Sequence, residues 1–159
     1  MPGRLVQQVG QVAALLNEAL VQAMAEWGEE LESALAAGDT AGATPAQRFE
    51  AAWSRIVESF ARLGPLWAIQ FELVAQMDRM PEVREAFAAA TRRSRLGLAA
   101  LFHDLDPDAD EEKALALGGF YQALLAGLAT QYLVDPKSAI SAAALTEALA
   151  MITAEWSGG

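Results

Sequence analysis

Two clusters and one lone histidine in this 159-residue sequence hold side chains whose type and spacing could suit chemistry. The acidic stretch DLDPDAD sets Asp104, Asp106 and Asp108 at alternate positions, as in a calcium loop of the EF-hand type. The rest of that pattern is missing. Counting from Asp104, the sixth place holds Ala109 where a Gly makes the turn, and the twelfth holds Leu115 where a bidentate Glu closes the site. The acids read instead as a turn leading through Glu111 and Glu112 into a helix whose positive N-terminus favours them. The basic cluster TRRSR, with Arg92, Arg93 and Arg95, lacks interleaved aromatics and reads as a solvated face paired with nearby carboxylates, one arginine remaining open to a ligand carboxylate. His103 is the only histidine, and Ala100 stands where the Glu of a Glu-x-x-His metal pair would be. There is no G-x-S-x-G, no G-x-x-x-x-G-K and no G-x-G-x-x-G after a strand. No catalytic residue, metal ligand or cofactor is assigned, and the chain is expected not to be an enzyme.

A fourth group is aromatic. Trp27, Trp53, Phe60, Trp67, Phe71, Phe87, Phe120 and Tyr121 recur at helical spacing, which is the usual mark of a core. The same side chains around the polar Gln70, Gln122 and Tyr121 also suit an apolar pocket with a few orienting groups. Sequence alone leaves both readings open.

The elements that must position these groups are helical throughout. Hydrophobic residues make up 53% of the chain, alanine is frequent, and the alternation that marks strands is scarce. Residues 1–12 form an atypical lead-in before a helix whose stripe runs Leu16, Leu20, Met24, Trp27, Leu31, Leu35. After a loop over residues 38–44, Thr44, Pro45 and Gln47 make a capping box, and the next helix is expected to stop at Gly64-Pro65. A short buried helix over residues 66–74 follows, then a break at Met80-Pro81 and a helix to about His103, with Val83, Phe87, Ala90, Ser94, Leu98 and Leu101 inward.

The run from Ala114 to Val134 carries no charged side chain, so it must be buried on every side, in a core, a membrane or an interface between copies. Gln122, Thr130 and Gln131, three glycines and the lack of a flanking basic cluster argue against a membrane. Small residues at Gly119, Ala123 and Gly127 permit close approach of another helix. A last helix is expected from about Lys137-Ser138 to Trp156, with residues 157–159 as a tail.

Lys+Arg 11 against Asp+Glu 21 gives a net charge of -10, which repels nucleic acid and anionic lipid. Cys 0 and an N-terminus in which Gln7, Gln8 and Gln11 interrupt any apolar run fit a single cytoplasmic domain without disulfides or membrane contact.

Two stretches resemble the C-terminal half of the TetR/AcrR family of bacterial transcriptional regulators. Gly64-Pro65-Leu66-Trp67 through Phe71-Glu72 to Met80-Pro81-Glu82-Val83-Arg84 is similar to that family's proline-started middle helices. Ala123 to Leu128, with Gln131 and Asp135-Pro136, is similar to its penultimate, dimerising helix, and the likeness covers roughly Leu15 to Trp156. The resemblance implies an all-α, single helical-bundle domain over residues 13–156 that dimerises through a four-helix bundle. Gly119, Ala123 and Gly127 would then meet the partner, with Leu145, Ala148, Leu149 and Ile152 beside them. It also implies a small hydrophobic or aromatic ligand held by the aromatic set and Gln70. The family's N-terminal helix-turn-helix is missing here, since Val9 to Leu16 keeps only Gly10, Leu15 and Leu16 of the pattern that usually follows it, so DNA would be reached only through a domain absent from this chain. A stand-alone carrier of hydrophobic metabolites and a structural dimerisation module without ligand are the rival expectations.

Overall fold

The computed structural model describes residues 2–38, 42–103, 105–106 and 108–158, and Asp104 of the acidic turn lies outside them. Five α-helices account for the described chain: α1 (Pro2–Ala37), α2 (Pro45–Gln76), α3 (Pro81–His103), α4 (Glu111–Val134) and α5 (Ala142–Ser157), with one 3-10 turn (Met77–Arg79) before α3. No strand occurs among the described residues, so the all-α expectation is met. No helix among them is long and apolar enough to cross a membrane.

α2 is the central element. Its N-terminus carries the expected capping box, in which the Gln47 backbone N–H donates to Thr44 Oγ1 at 3.2 Å and the Thr44 N–H donates to Gln47 Oε1 at 2.8 Å. From there Trp53, Ile56, Phe60, Leu63 and Trp67 form one buried stripe at spacings of three and four. The stripe runs straight through Gly64-Pro65, where the sequence points to a stop. A proline leaves the carbonyl four residues back without its donor, but Ala61 and Pro65 are both exposed, so that carbonyl is open to solvent rather than buried unpaired. The adjacent Gly64 is buried against Leu133, and packing before and after the proline holds one continuous helix.

The other helices pack around α2. α1 buries Ala13, Asn17, Leu20, Trp27 and Leu31 along one stripe, and it rests on α2 and α3. The expected lead-in continues this helix back to Pro2, although every described side chain up to Val12 is exposed. α5 lies against α2 and begins at Ala142, later than Lys137-Ser138, because Ser141 caps it by accepting the Ala144 N–H at 3.2 Å. Asp135 and Gln131 occupy the intervening turn: Lys137 N–H donates to Asp135 Oδ1 at 3.1 Å and Ile140 N–H to Gln131 Oε1 at 3.1 Å.

α3 and α4 form the closest pairing. A Cβ built on Gly118 would fall 1.8 Å from the Arg95 carbonyl oxygen, so only glycine permits the two backbones to meet there. This contact puts Arg95, not Ser94, on the α4 side of α3, and Ser94 is exposed. We expect Gly118→Ala to lower unfolding free energy by about 2 kcal/mol or more, since the overlap is with backbone that has no rotamer to yield. Thermal denaturation checks this, and an unchanged melting temperature would mean the helices cross elsewhere.

Candidate functional site

The aromatic set that sequence reading assigns to a ligand falls into separate places. Trp53 is fully buried and stacks on Phe102, with ring centroids 5.9 Å apart and planes at 12°. Phe102 stacks in turn on Tyr121 at 4.4 Å, and Phe49 closes the group 5.7 Å from Trp53. A second group lies further along α2: Phe60 meets Trp67 edge-on at 6.0 Å, Tyr132 at 5.8 Å, and Trp67 meets Phe71 at 6.0 Å. Trp27 is buried on α1 in the same core, while Gln70 and Phe87 are half-buried. Phe120 is 47% exposed on the open side of α4.

Each aromatic group holds an indole N–H that is buried without an acceptor, on Trp53 and on Trp67. A buried unpaired donor costs about 1–3 kcal/mol, so both mark points where an incoming acceptor would be stabilised. Tyr121 is better served. Its phenol oxygen lies 2.7 Å from His103 Nε2, either the O–H donating to the ring or the ring N–H donating to the oxygen. Burial raises the Tyr121 pKa above its ordinary value of 10.0, because the phenolate would lose solvation there.

The basic cluster is divided between three surroundings. Arg92 pairs with Glu111 across the start of α4, as the solvated-face reading expects. Arg95 Nε donates to Gln122 Oε1 at 2.8 Å over the α3–α4 crossing, and Arg93 stands in the wall of a hollow. In the acidic turn, Asp106 Oδ1 accepts the Asp108 N–H at 2.9 Å, and Asp110 caps α4 by accepting the Lys113 N–H at 3.2 Å.

The expected interface residues are also divided. Gly119 is half-buried, with the Arg95 side chain of its own chain 3.8 Å from where its Cβ would be. Ala123 and Gly127 are exposed, and nothing lies within 4 Å of a Cβ at Gly127. Leu145, Ala148 and Leu149 are half-buried, and Ile152 is exposed. The uncharged helix is therefore not buried all round within one chain. It turns Ala114, Gly118, Tyr121, Leu125 and Leu128 inward and leaves Phe120, Ala123, Gly127 and Val134 as an open stripe at spacings of three, four and seven. On α5, Met151, Ile152 and Trp156 are likewise open, Trp156 at 82%.

Two hollows flank the first half of α1. One of about 1100 Å³ lies between α1, the 3-10 turn and the start of α3, and another of about 450 Å³ lies between α1 and the end of α2. None of the nine residues assigned to the ligand lines either. Sequence reading puts Phe49 on the same face as Trp53, where it lies, but missed Phe102 and Tyr132 as partners of the aromatic groups, and Asn17, the buried polar residue of α1. Phe102 was legible as a position four beyond Leu98. Asn17 gave no signal, since its place on the stripe looks like an interruption.

Compared with known proteins, the chain matches no family model, no curated protein and no solved structure. The Tyr121 environment gives a direct check of the first aromatic group. With its folded pKa raised, the neutral phenol contributes stability that is fully present below about pH 10 and is lost as pH rises through the raised value. Urea unfolding should therefore weaken above that pH, and Tyr121→Phe should remove part of the decline; an identical decline in the variant would mean the phenol is solvated.

Proposed function

We propose that this chain is a homodimeric, small-molecule-sensing domain of a TetR-like regulator. The observation that carries the reading is the open stripe of α4. A helix without a charge from Ala114 to Val134 has half its circumference uncovered, and small residues at Ala123 and Gly127 stand on that half. Covering Phe120, Val134, Met151, Ile152 and Trp156 is worth roughly 1.5–3 kcal/mol for each side chain fully removed from water. Counted on two copies, that gain is at most about 15–30 kcal/mol, above the association cost of about 4–15 kcal/mol. A twofold arrangement in which α4 and α5 of each copy form a four-helix bundle covers both faces at once, because such an interface is self-complementary.

The sensing half of the reading is supported by the two unpaired indoles and by the hollows beside α1. A ligand shifts such a domain only by binding two of its conformations unequally, and DNA contact would belong to a helix-turn-helix outside these residues. A dimerisation module without ligand is favoured by one observation, the complete burial of Trp53, Ile56 and Phe60.

Native mass spectrometry with sedimentation tests both halves. The chain should run as a dimer of its 16.9 kDa subunit, and Gly127→Arg should weaken association roughly hundredfold or more by placing a charge in the contact. A folded Gly127→Arg protein that is still dimeric at micromolar concentration overturns this face. Retained small-molecule mass supports the sensor, and a persistently empty dimer supports the module.

A further inference from the structure

We infer that α5 of each copy in the proposed dimer lies along α4 of the other, and that Glu155 on α5 pairs there with the partner's Arg95. The inference rests on the homodimer reading and deepens it by naming the charged contact between the two copies.

Glu155 is the first reason. The start of α5 is held by its own chain, with Ala142 buried and Leu145, Ala148 and Leu149 half-buried, whereas every residue from Ala150 to Ser157 is exposed. Glu155 stands four residues after Met151 and three after Ile152, so the three side chains share one face of the helix, with Trp156 beside them. Covering Met151, Ile152 and Trp156 therefore takes water from Glu155 as well, and a carboxylate removed from water needs a cation. α5 has none of its own, and its other charged residue, Glu147, is also acidic. Two α5 helices packed on one another would bring carboxylates together, so α5 is better laid on the uncharged α4 of the other copy.

Arg95 supplies the missing cation. Its Nε donates to Gln122 Oε1 at 2.8 Å, and its Nε, Cδ and Cζ lie within 3.9 Å of where a Cβ on Gly119 would be. Gly119 adjoins Phe120 and Gln122 adjoins Ala123, so the guanidinium is held against the flank of the open stripe. Arg95 is half-buried and makes no ion pair among the described residues. With Nε committed to Gln122, its two terminal nitrogens remain for the two oxygens of one carboxylate. Arg92 is already paired with Glu111, and Lys113 and Lys137 are exposed near the two ends of α4, where a lysine gains little from pairing. A twofold axis makes the Arg95–Glu155 pair occur twice, once from each copy.

Sedimentation equilibrium of charge variants tests the pairing, with circular dichroism to confirm helicity. Glu155→Arg leaves the chain less negative, so long-range repulsion alone would tighten a dimer of two chains each at net charge -10. The pairing gives the opposite sign. Glu155→Arg should weaken the dimer roughly tenfold or more, and Arg95→Glu in the same chain should restore it to within about threefold of the wild type. Since Arg95→Glu also loses the bond to Gln122, Glu155→Gln provides a second reading. The wild-type dimer should weaken as salt rises from about 0.05 M to about 0.5 M, and Glu155→Gln should lose most of that dependence. A dimer unchanged or tightened by Glu155→Arg, or equal salt dependence in the wild type and Glu155→Gln, overturns the pairing. So does restoration of the Glu155→Arg dimer by Lys113→Glu in place of Arg95→Glu. If Gly127→Arg still disrupts the dimer, those results leave the homodimer reading standing. A wild-type chain that is monomeric at micromolar concentration overturns both.

Discussion

The crossing of α4 over α3 at Gly118 fixes much of what this fold can do. Because the Arg95 backbone occupies the space of a Gly118 side chain, α4 has one rotation about its axis at which it can lie this close. That rotation turns Tyr121, Leu125 and Leu128 toward α2 and delivers Tyr121 into stacking contact with Phe102 and hydrogen-bonding distance of His103. The same rotation leaves Phe120, Ala123 and Gly127 outward. Core and open face are two consequences of one contact.

α2 extends the consequence along the molecule. Its stripe continues past Pro65, so both aromatic groups hang on a single helix and any shift of α2 along its axis is felt by both. The burial of Trp53 and Phe60 makes this core stiff, yet each group keeps one indole donor unserved. Well-packed apolar contact can hold such a donor in place at a cost, and the cost is what a ligand, or a rearrangement that finds an acceptor, would recover. The hollow beside the first half of α1 is lined mostly by exposed side chains, with Val83 and Asn17 buried in its wall.

Much of this was legible in the sequence, for physical reasons that differ by element. The Thr44-Pro45-Gln47 cap and the Met80-Pro81 break are local, so spacing in the chain sufficed to place them. The uncharged run announced a helix with two apolar faces, and the split between an inner and an open face follows from a helix that one small chain cannot surround. Pro65 misled because its usual effect is local whereas its tolerance here is tertiary, set by Leu133 packed against Gly64 and by the exposure of Ala61. Trp27, Trp53, Phe60, Trp67 and Tyr121 do lie inward whereas Phe120 is exposed, and the division of the buried ones into two groups depends on Phe102 and Tyr132 from other helices, which periodicity along one helix does not reveal. Asn17 was illegible because its significance lies in lacking a partner, a fact of packing rather than of pattern.

The central claim is that the open side of α4 is covered by the same helix of a second copy. Since the chain has no cysteine, Ala123→Cys offers a unique position for a spin label in the middle of that side. Dipolar electron spin resonance on the labelled protein should then report a short distance between labels, in keeping with helices packed about 8–10 Å apart across a twofold axis. Absence of dipolar coupling at tens of micromolar protein, with helicity intact, would contradict the account and leave the stripe uncovered.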